Sequence, residues 1–307
     1  MAELPTMTFL ALRFLLAFAA LAVFFRRDLA ANWRRLLGPG LVIGLWLFGA
    51  YSVQTIGLQF TQASRAGFIT GLSVVLVPVL EGLTTGRRPP RRALAGVGFA
   101  LLGLAFLFVV PAITASAAPG GPSVAAQRFG DGLVLACVIG FAGHIVSTGR
   151  YSSTQVKSYG EAGALAAIQI GVAAAGYVLV CAAQATLGGV GLAELLPPGA
   201  TLNHPFSAST AGAVVMTALL ATAGAFLAQT AAQRFTPPTH TALIFATEPV
   251  FAAIFGWLLL GERLGAWGLA GCGLILAGML VAELPGAAVP ASEARDVERG
   301  PRGPRSL

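Results

Sequence analysis

Charge is what this sequence has least of. Of 307 residues only 10% are Asp, Glu, Lys or Arg, against about 25% in a soluble domain. So little charge cannot solvate a surface of this size, which excludes a soluble enzyme or soluble binding module. Cysteine is also scarce. Cys137, Cys181 and Cys272 lie far apart inside apolar runs, with neither the density of a disulfide framework nor the spacing of a zinc site. Packing is their expected role, and neither a metal nor a cofactor is called for. Lysine is nearly absent, since eighteen of the nineteen basic residues are Arg. A net charge of +7 and a pI near 10.2 suggest nucleic acid at first sight. The arginines, however, sit in short clusters between apolar runs, and no polar domain exists to present them, so nucleic-acid binding is rejected. Paired carboxylates, a His-Glu-x-x-His motif and a Ser/His pair near a Gly-x-Ser turn are all missing, which argues against an intramembrane enzyme. Gly96-Val97-Gly98 lacks both the preceding strand and the third glycine of a dinucleotide fingerprint.

What the chain has in excess is apolar length. Hydrophobic residues make up 56% of it, gathered in runs of about 20 residues, enough to cross a hydrocarbon core of about 30 Å. The fold class is therefore all-α, a polytopic membrane protein whose first partner is the lipid bilayer. Nine spans are expected: 5–25, 36–58, 64–84, 93–113, 130–149, 162–185, 210–233, 239–260 and 266–284. Residues 285–307, rich in Pro, Gly and Arg, are expected to form a disordered cytoplasmic tail. Alternate joints carry the basic residues: Arg26, Arg27, Arg34 and Arg35; Arg87, Arg88, Arg91 and Arg92; Arg150 and Lys157; Arg234; and the tail arginines. By the positive-inside rule that side is cytoplasmic.

The chain also matches itself at one offset of 175 residues. Leu45–Gly103 aligns without a gap to Leu220–Gly278, with about 18 of 59 positions identical, among them Gly49/Gly224, Gln54/Gln229, Thr55/Thr230 and Gly96/Gly271. Five crossings separate the members of each pair. An odd number means that the second copy enters the membrane from the opposite side, so the repeat is read as inverted, a recurring construction of secondary transporters. The expected units are 1–114 and 130–284. Arg13 aligns with Gln169 at an offset of 156, which leaves span 130–149 without a partner. A further helix upstream of Met1 is expected, because charge places the present N-terminus outside without a signal peptide.

Three stretches carry a resemblance to a known family: Ala11-Leu12-Arg13-Phe14-Leu15-Leu16-Ala17; Thr236–Leu264 with its Glu248-Pro249 and Gly261-Glu262-Arg263; and Gly271…Gly278. Over residues 5–284 the chain resembles the EamA-type transporters of the drug/metabolite transporter superfamily. The resemblance implies ten spans in two inverted five-helix units, both termini cytoplasmic, and export or exchange of small metabolites. Two departures stand out. The family's first helix, with its Trp-Gly motif, is not found, and the first copy has Ser73-Val74 where the second has Glu248-Pro249.

Ionisable groups inside a span are costly and are functional candidates by default. Glu248 is the sharpest, because Pro249 leaves the Phe245 carbonyl without its helical donor and makes a polar notch beside the carboxylate. His144 lies mid-span with Ser147 and Thr148 on its face. Arg13 is too deep to reach the interface easily and calls for a buried partner or an anionic substrate. Gln54 and Gln229 occupy equivalent positions, Gln229 within a stripe of Thr222, Phe226 and Gln233; Gln169, the counterpart of Arg13, completes the set. The expected activity is export or exchange of small polar, amino-acid-like molecules by alternating access in the inner membrane, with protons as a coupling ion. The alternatives are a multidrug or lipid-linked or nucleotide-sugar carrier, and a non-transporting membrane partner subunit.

Overall fold

The computed structural model describes residues 4–61, 63–86, 89–106, 124–186, 207–248, 250–251, 254–255, 258 and 265–283. Among these the fold is helical throughout: α1 (Thr6–Phe24), α2 (Arg26–Gly57), α3 (Ala63–Gly71), α4 (Ser73–Thr85), α5 (Arg91–Leu104), α6 (Val124–Gln155) and α7 (Tyr159–Thr186). There follow α8 (Ala208–Ala218), a π-helical turn (Leu219–Gly224), α9 (Ala225–Ala232), α10 (Pro238–Phe245) and α11 (Ala266–Glu283). Five helices are long and apolar enough to cross a membrane: Thr6–Phe24, Arg26–Gly57, Ala125–Gln155, Tyr159–Gln184 and Ala208–Ala232. Leu45, Ile139, Leu179, Leu269 and Leu280 stand outward and exposed, as lipid-facing side chains do. The chain is a multi-pass membrane protein.

Three stretches differ from the sequence expectation. The Arg26–Arg35 stretch, read as a joint between spans, is the first part of α2, whose 32 residues extend for about 48 Å at 1.5 Å per residue. That exceeds the bilayer core, so the arginine-bearing turns continue beyond it. The spans read as 64–84 and 239–260 are not single helices. The first breaks at Leu72 between α3 and α4, and the second breaks at Ala246–Thr247, with helical backbone resuming at Glu248. Leu72 and Thr247 are 175 residues apart, so the two copies break at the same place. The ends of 93–113 and 239–260, and the tail, fall outside the described residues.

Small residues let the helices approach closely, as they must where lipid removes the hydrophobic drive for association. On α2, a Cβ at Gly40 would stand 2.3 Å from Ile168 of α7, and one at Gly44 2.6 Å from the Gln169 carbonyl. Gly140 of α6 lies against Ala50 and Gly143 against the Trp46 ring, which holds α6 on the other side of α2. The core of this group is Phe14, Leu47, Ile170 and Tyr177, all fully buried. Helices α5 and α11 form a second packed pair. A Cβ at Gly96 would meet the Gly278 carbonyl at 2.5 Å and one at Gly103 the Gly271 carbonyl at 2.6 Å. Numbers rise along one helix as they fall along the other, so the two run antiparallel. Gly96 and Gly271 are repeat counterparts, as are Gly103 and Gly278; exchanging the copies turns one contact into the other.

Candidate functional site

Polar groups at membrane depth fall into two sets. The first gathers around the helix breaks. Arg13, on α1, donates from Nε to Thr222 Oγ1 at 2.6 Å and from Nη2 to the Ala221 carbonyl at 3.3 Å. Both acceptors lie in the π-helical turn. A π turn shifts the backbone register and releases carbonyls from the α pattern, which is why Ala221 has an oxygen to offer. Thr222 Oγ1 in turn donates to the Thr217 carbonyl at 2.9 Å. Among the described residues no carboxylate forms an ion pair with Arg13, so its charge is carried by neutral acceptors and by two rings. Its guanidinium carbon stands 5.5 Å from the centre of Tyr51 and 5.8 Å from that of Phe14, within cation–π range. Tyr51 is also within electrostatic reach of Glu248. One aromatic ring therefore lies beside the deep cation of α1 and within electrostatic reach of the carboxyl group that follows the second break. Gln54 donates to Thr70 Oγ1 at 3.2 Å, joining α2 to the last turn before the first break. Arg13, Tyr51, Gln54, Thr70 and Ser73 are half-buried and Glu248 is exposed, so this set is open rather than sealed.

The second set is closed. His144 Nε2 bonds Gln169 Oε1 at 2.9 Å, and Gln169 Nε2 donates to Thr230 Oγ1 at 2.9 Å. The chain ends where Thr230 donates to the Phe226 carbonyl at 2.6 Å. With one acceptor and one donor satisfied, the Gln169 amide stitches α6, α7 and α9 together. Gln229 donates to Gln233 Oε1 at 3.0 Å, and Gln233 donates to the Ile145 carbonyl at 3.0 Å. All these side chains are buried.

Sequence reasoning places Glu248, Arg13 and Gln54 among the candidates, and the structure gathers them in the open set. His144, Gln169 and Gln229 lie in the closed one, on faces turned to neighbouring helices. Sequence reasoning passes over Glu81, although the rule that flags Glu248 applies to it, since it lies within span 64–84. Its Oε2 accepts from both the N–H and the hydroxyl of Thr239, capping α10 from α4. Beside it are cavities of about 370 Å³, lined by Glu81, Arg150, Gln233 and Arg234 among others, and about 430 Å³. The same end holds a cluster of basic joints. Arg35 bridges Glu161 at 3.0 Å, Lys157 N–H donates to Glu161 Oε2, and Arg234 donates to the Lys157 carbonyl.

The EamA-like transporter family model matches the chain twice, over residues 1–109 and 158–283. The chain belongs to that family. It is 26% identical over 245 residues to an uncharacterized transporter of Archaeoglobus fulgidus, covering 80% of this chain and 68% of that protein. A protein of known crystal structure superposes with a TM-score of 0.68 over 93% of this chain and 90% of its own at 18% identity, a likeness of fold alone. Membership of the EamA-like family makes the chain a membrane transporter. Members of that family are transporters, not enzymes.

Proposed function

We propose that this protein is a secondary transporter that exports or exchanges small polar, amino-acid-like metabolites across a bacterial inner membrane by alternating access. The observation that carries the reading is the pair of helix breaks at Leu72 and Thr247, equivalent in the two copies. Interrupted helices at corresponding positions of two repeats mark the substrate site in transporters built this way, with access exchanged by rocking the halves. The self-complementary contact of α5 with α11 supports an inverted relation between units 1–114 and 130–284. The charges support the substrate class. A zwitterion presents a carboxylate and an ammonium a few ångströms apart, and Arg13 and Glu248 offer opposite charges around Tyr51. Glu248 in the open set, or His144 in the closed one, supplies a group able to take up a coupling proton. A multidrug cation carrier is less favoured, because Arg13 stands in the same open set as Glu248.

The test is flux in proteoliposomes with a panel of radiolabelled amino acids, at several pH values, comparing wild type with Glu248→Gln. The neutral amide keeps size and hydrogen bonding but removes the charge. Loss of flux, or of its pH dependence, is the expected outcome. Equal flux with an equal pH profile would sink the assignment of Glu248.

A further inference from the structure

Two side chains in the closed set have no partner. Thr148 and Ser152 are 0% exposed, yet among the described residues neither hydroxyl oxygen has a hydrogen-bond partner. This is unusual for the helical setting. Threonine and serine in a span normally return their hydroxyl to the carbonyl one turn back. Thr84, Thr154, Thr217 and Thr230 do so here. Buried hydroxyls are rarely left orphaned without a water or ion to complete them.

Their positions make a pattern. His144, Thr148 and Ser152 follow at four-residue steps along α6, each step rising about 6 Å. That is too far for hydroxyl to meet hydroxyl, but it matches one water making two bonds of about 2.8 Å each. The far end of the stripe reaches the arginine-rich cluster, where Gln155, three residues past Ser152, accepts through its carbonyl from Arg35. The near end closes on aromatic rings. His144 packs edge-on against Phe226 at 5.4 Å, and Phe141 packs on Tyr51 at 5.2 Å. Tyr51 is also the ring under the Arg13 guanidinium, so the stripe ends on the aromatic layer that borders the open set.

We propose that this face of α6 is a water-filled proton path leading from the arginine-rich, cytoplasmic end to His144. The proposal rests on the transport reading only in giving the proton a purpose. A proton entering at the mouth passes by relay: each water or hydroxyl accepts one proton and releases another, and the imidazole nitrogen takes the last. Nothing is oxidised and no bond besides O–H and N–H changes. The groups around His144 from α7 and α9 are neutral, namely Gln169, Phe226 and Thr230, and so is Gln233 just after α9. The charged groups of the packed elements stand at the mouth: Arg35 of α2, Lys157 and Glu161 before and in α7, Arg234 after α9, and Glu81 of α4. The 370 Å³ cavity opens beside the stripe, where Gly149, three residues before Ser152, lines it together with Gln233 and Arg234.

The experiment is solid-state NMR on the full chain in liposomes, with histidine labelled in the ring nitrogens and the His144 signal assigned by its loss in His144→Asn. Polarisation transferred from water to this ring reports hydration directly. In wild type the His144 signal is expected to build up quickly. Thr148→Val combined with Ser152→Ala should slow the build-up several-fold while leaving the melting temperature unchanged or higher, because unpartnered hydroxyls are removed. Thr154→Val, which alters an exposed hydroxyl already bonded to its own helix, should leave the build-up as in wild type. A wild-type ring that receives no water polarisation overturns the proposal. So does a double variant that matches wild type, or one that melts lower with unchanged build-up, since either makes the hydroxyls purely structural. No molecule is transported in this measurement, so its failure leaves the flux reading standing, and the reverse also holds.

Discussion

The contact between α5 and α11 makes a sharp demand on glycine. A Cβ added at Gly103 would lie 2.6 Å from the Gly271 carbonyl oxygen and 2.9 Å from the Ile275 backbone nitrogen. Ordinary contact begins at 3.4 Å, so the deficit at the oxygen is about 0.8 Å. The atoms in the way belong to a helix backbone and cannot rotate aside. The helices must separate, and overpacking of this kind costs about 1–3 kcal/mol. Alanine returns part of that, because it favours helix over glycine by about 0.5–1 kcal/mol. Gly98 supplies the matched control. It lies on the same helix with nothing within 4 Å of its Cβ position, so Gly98→Ala keeps the propensity gain without the clash. The two variants should therefore differ by about 2 kcal/mol, or about 4–8 °C if each kcal/mol moves the midpoint by about 2–4 °C. The four tryptophans allow melting to be followed by intrinsic fluorescence in detergent and after reconstitution. Gly278→Ala and Gly273→Ala should repeat the contrast on α11, because Gly278 meets the Gly96 carbonyl at 2.6 Å and Gly273 meets nothing. Gly96→Ala with Gly278→Ala should cost less than the sum of the two, since one separation relieves both clashes. Equal melting of Gly103→Ala and Gly98→Ala would refute the close crossing and the symmetric contact argued from it.

Two further outcomes test the polar sets. Thr222→Val removes the shorter of the two Arg13 hydrogen bonds and frees the Thr217 carbonyl, so the melting midpoint should fall by the equivalent of about 1–3 kcal/mol, with Thr222→Ser restoring most of it; a Val variant that melts like wild type refutes the Arg13 pairing. Gln169→Leu leaves His144 without its amide partner at membrane depth and should destabilise by about 1–3 kcal/mol, whereas adding His144→Phe replaces both partners with apolar groups and should recover part of the loss; a double variant no more stable than the single refutes the bond.

Much of the architecture was legible in the apolar runs, because twenty residues without charge have few alternatives to crossing a bilayer. The helix breaks were less so. In the second copy Pro249 announces irregularity next to Glu248, but in the first the nearest proline is Pro78, six residues beyond the break at Leu72. No local signal marks Leu72, which becomes visible only through its equivalence to Thr247. The π turn was hidden for a related reason: Leu219–Gly224 reads as ordinary apolar helix, so the oxygen that serves Arg13 was not predictable. His144, Gln169 and Gln229 were each conspicuous as polar residues in apolar runs. That His144 and Gln169 pair with each other across α6 and α7 depends on how those helices are rotated, which spacing along the chain does not specify.

The differences between the copies have a physical cause of their own on the inverted reading. Residues near an axis that exchanges two copies lie close to their own counterparts. A charge retained in both would face its like at membrane depth, where screening by water is weak and unpaired charge is costly. Divergence is therefore expected where the site needs charge, and two pairs follow that rule: Arg13 is the counterpart of Gln169, and Glu248 of Ser73. Tyr51, the ring beside Arg13, is the counterpart of Phe226. The charged member of both unequal pairs belongs to the open set. Its counterpart is neutral, and Gln169 and Phe226 serve the closed set, as the amide that holds His144 and the ring that covers it. An arginine at position 169 would bring a guanidinium against a buried histidine and break the bond to Thr230. On the transport reading proposed above, the symmetry of the helices and the asymmetry of their polar residues are thus one design: equal halves can exchange shapes, and only unequal ones can hold both charges of a zwitterion.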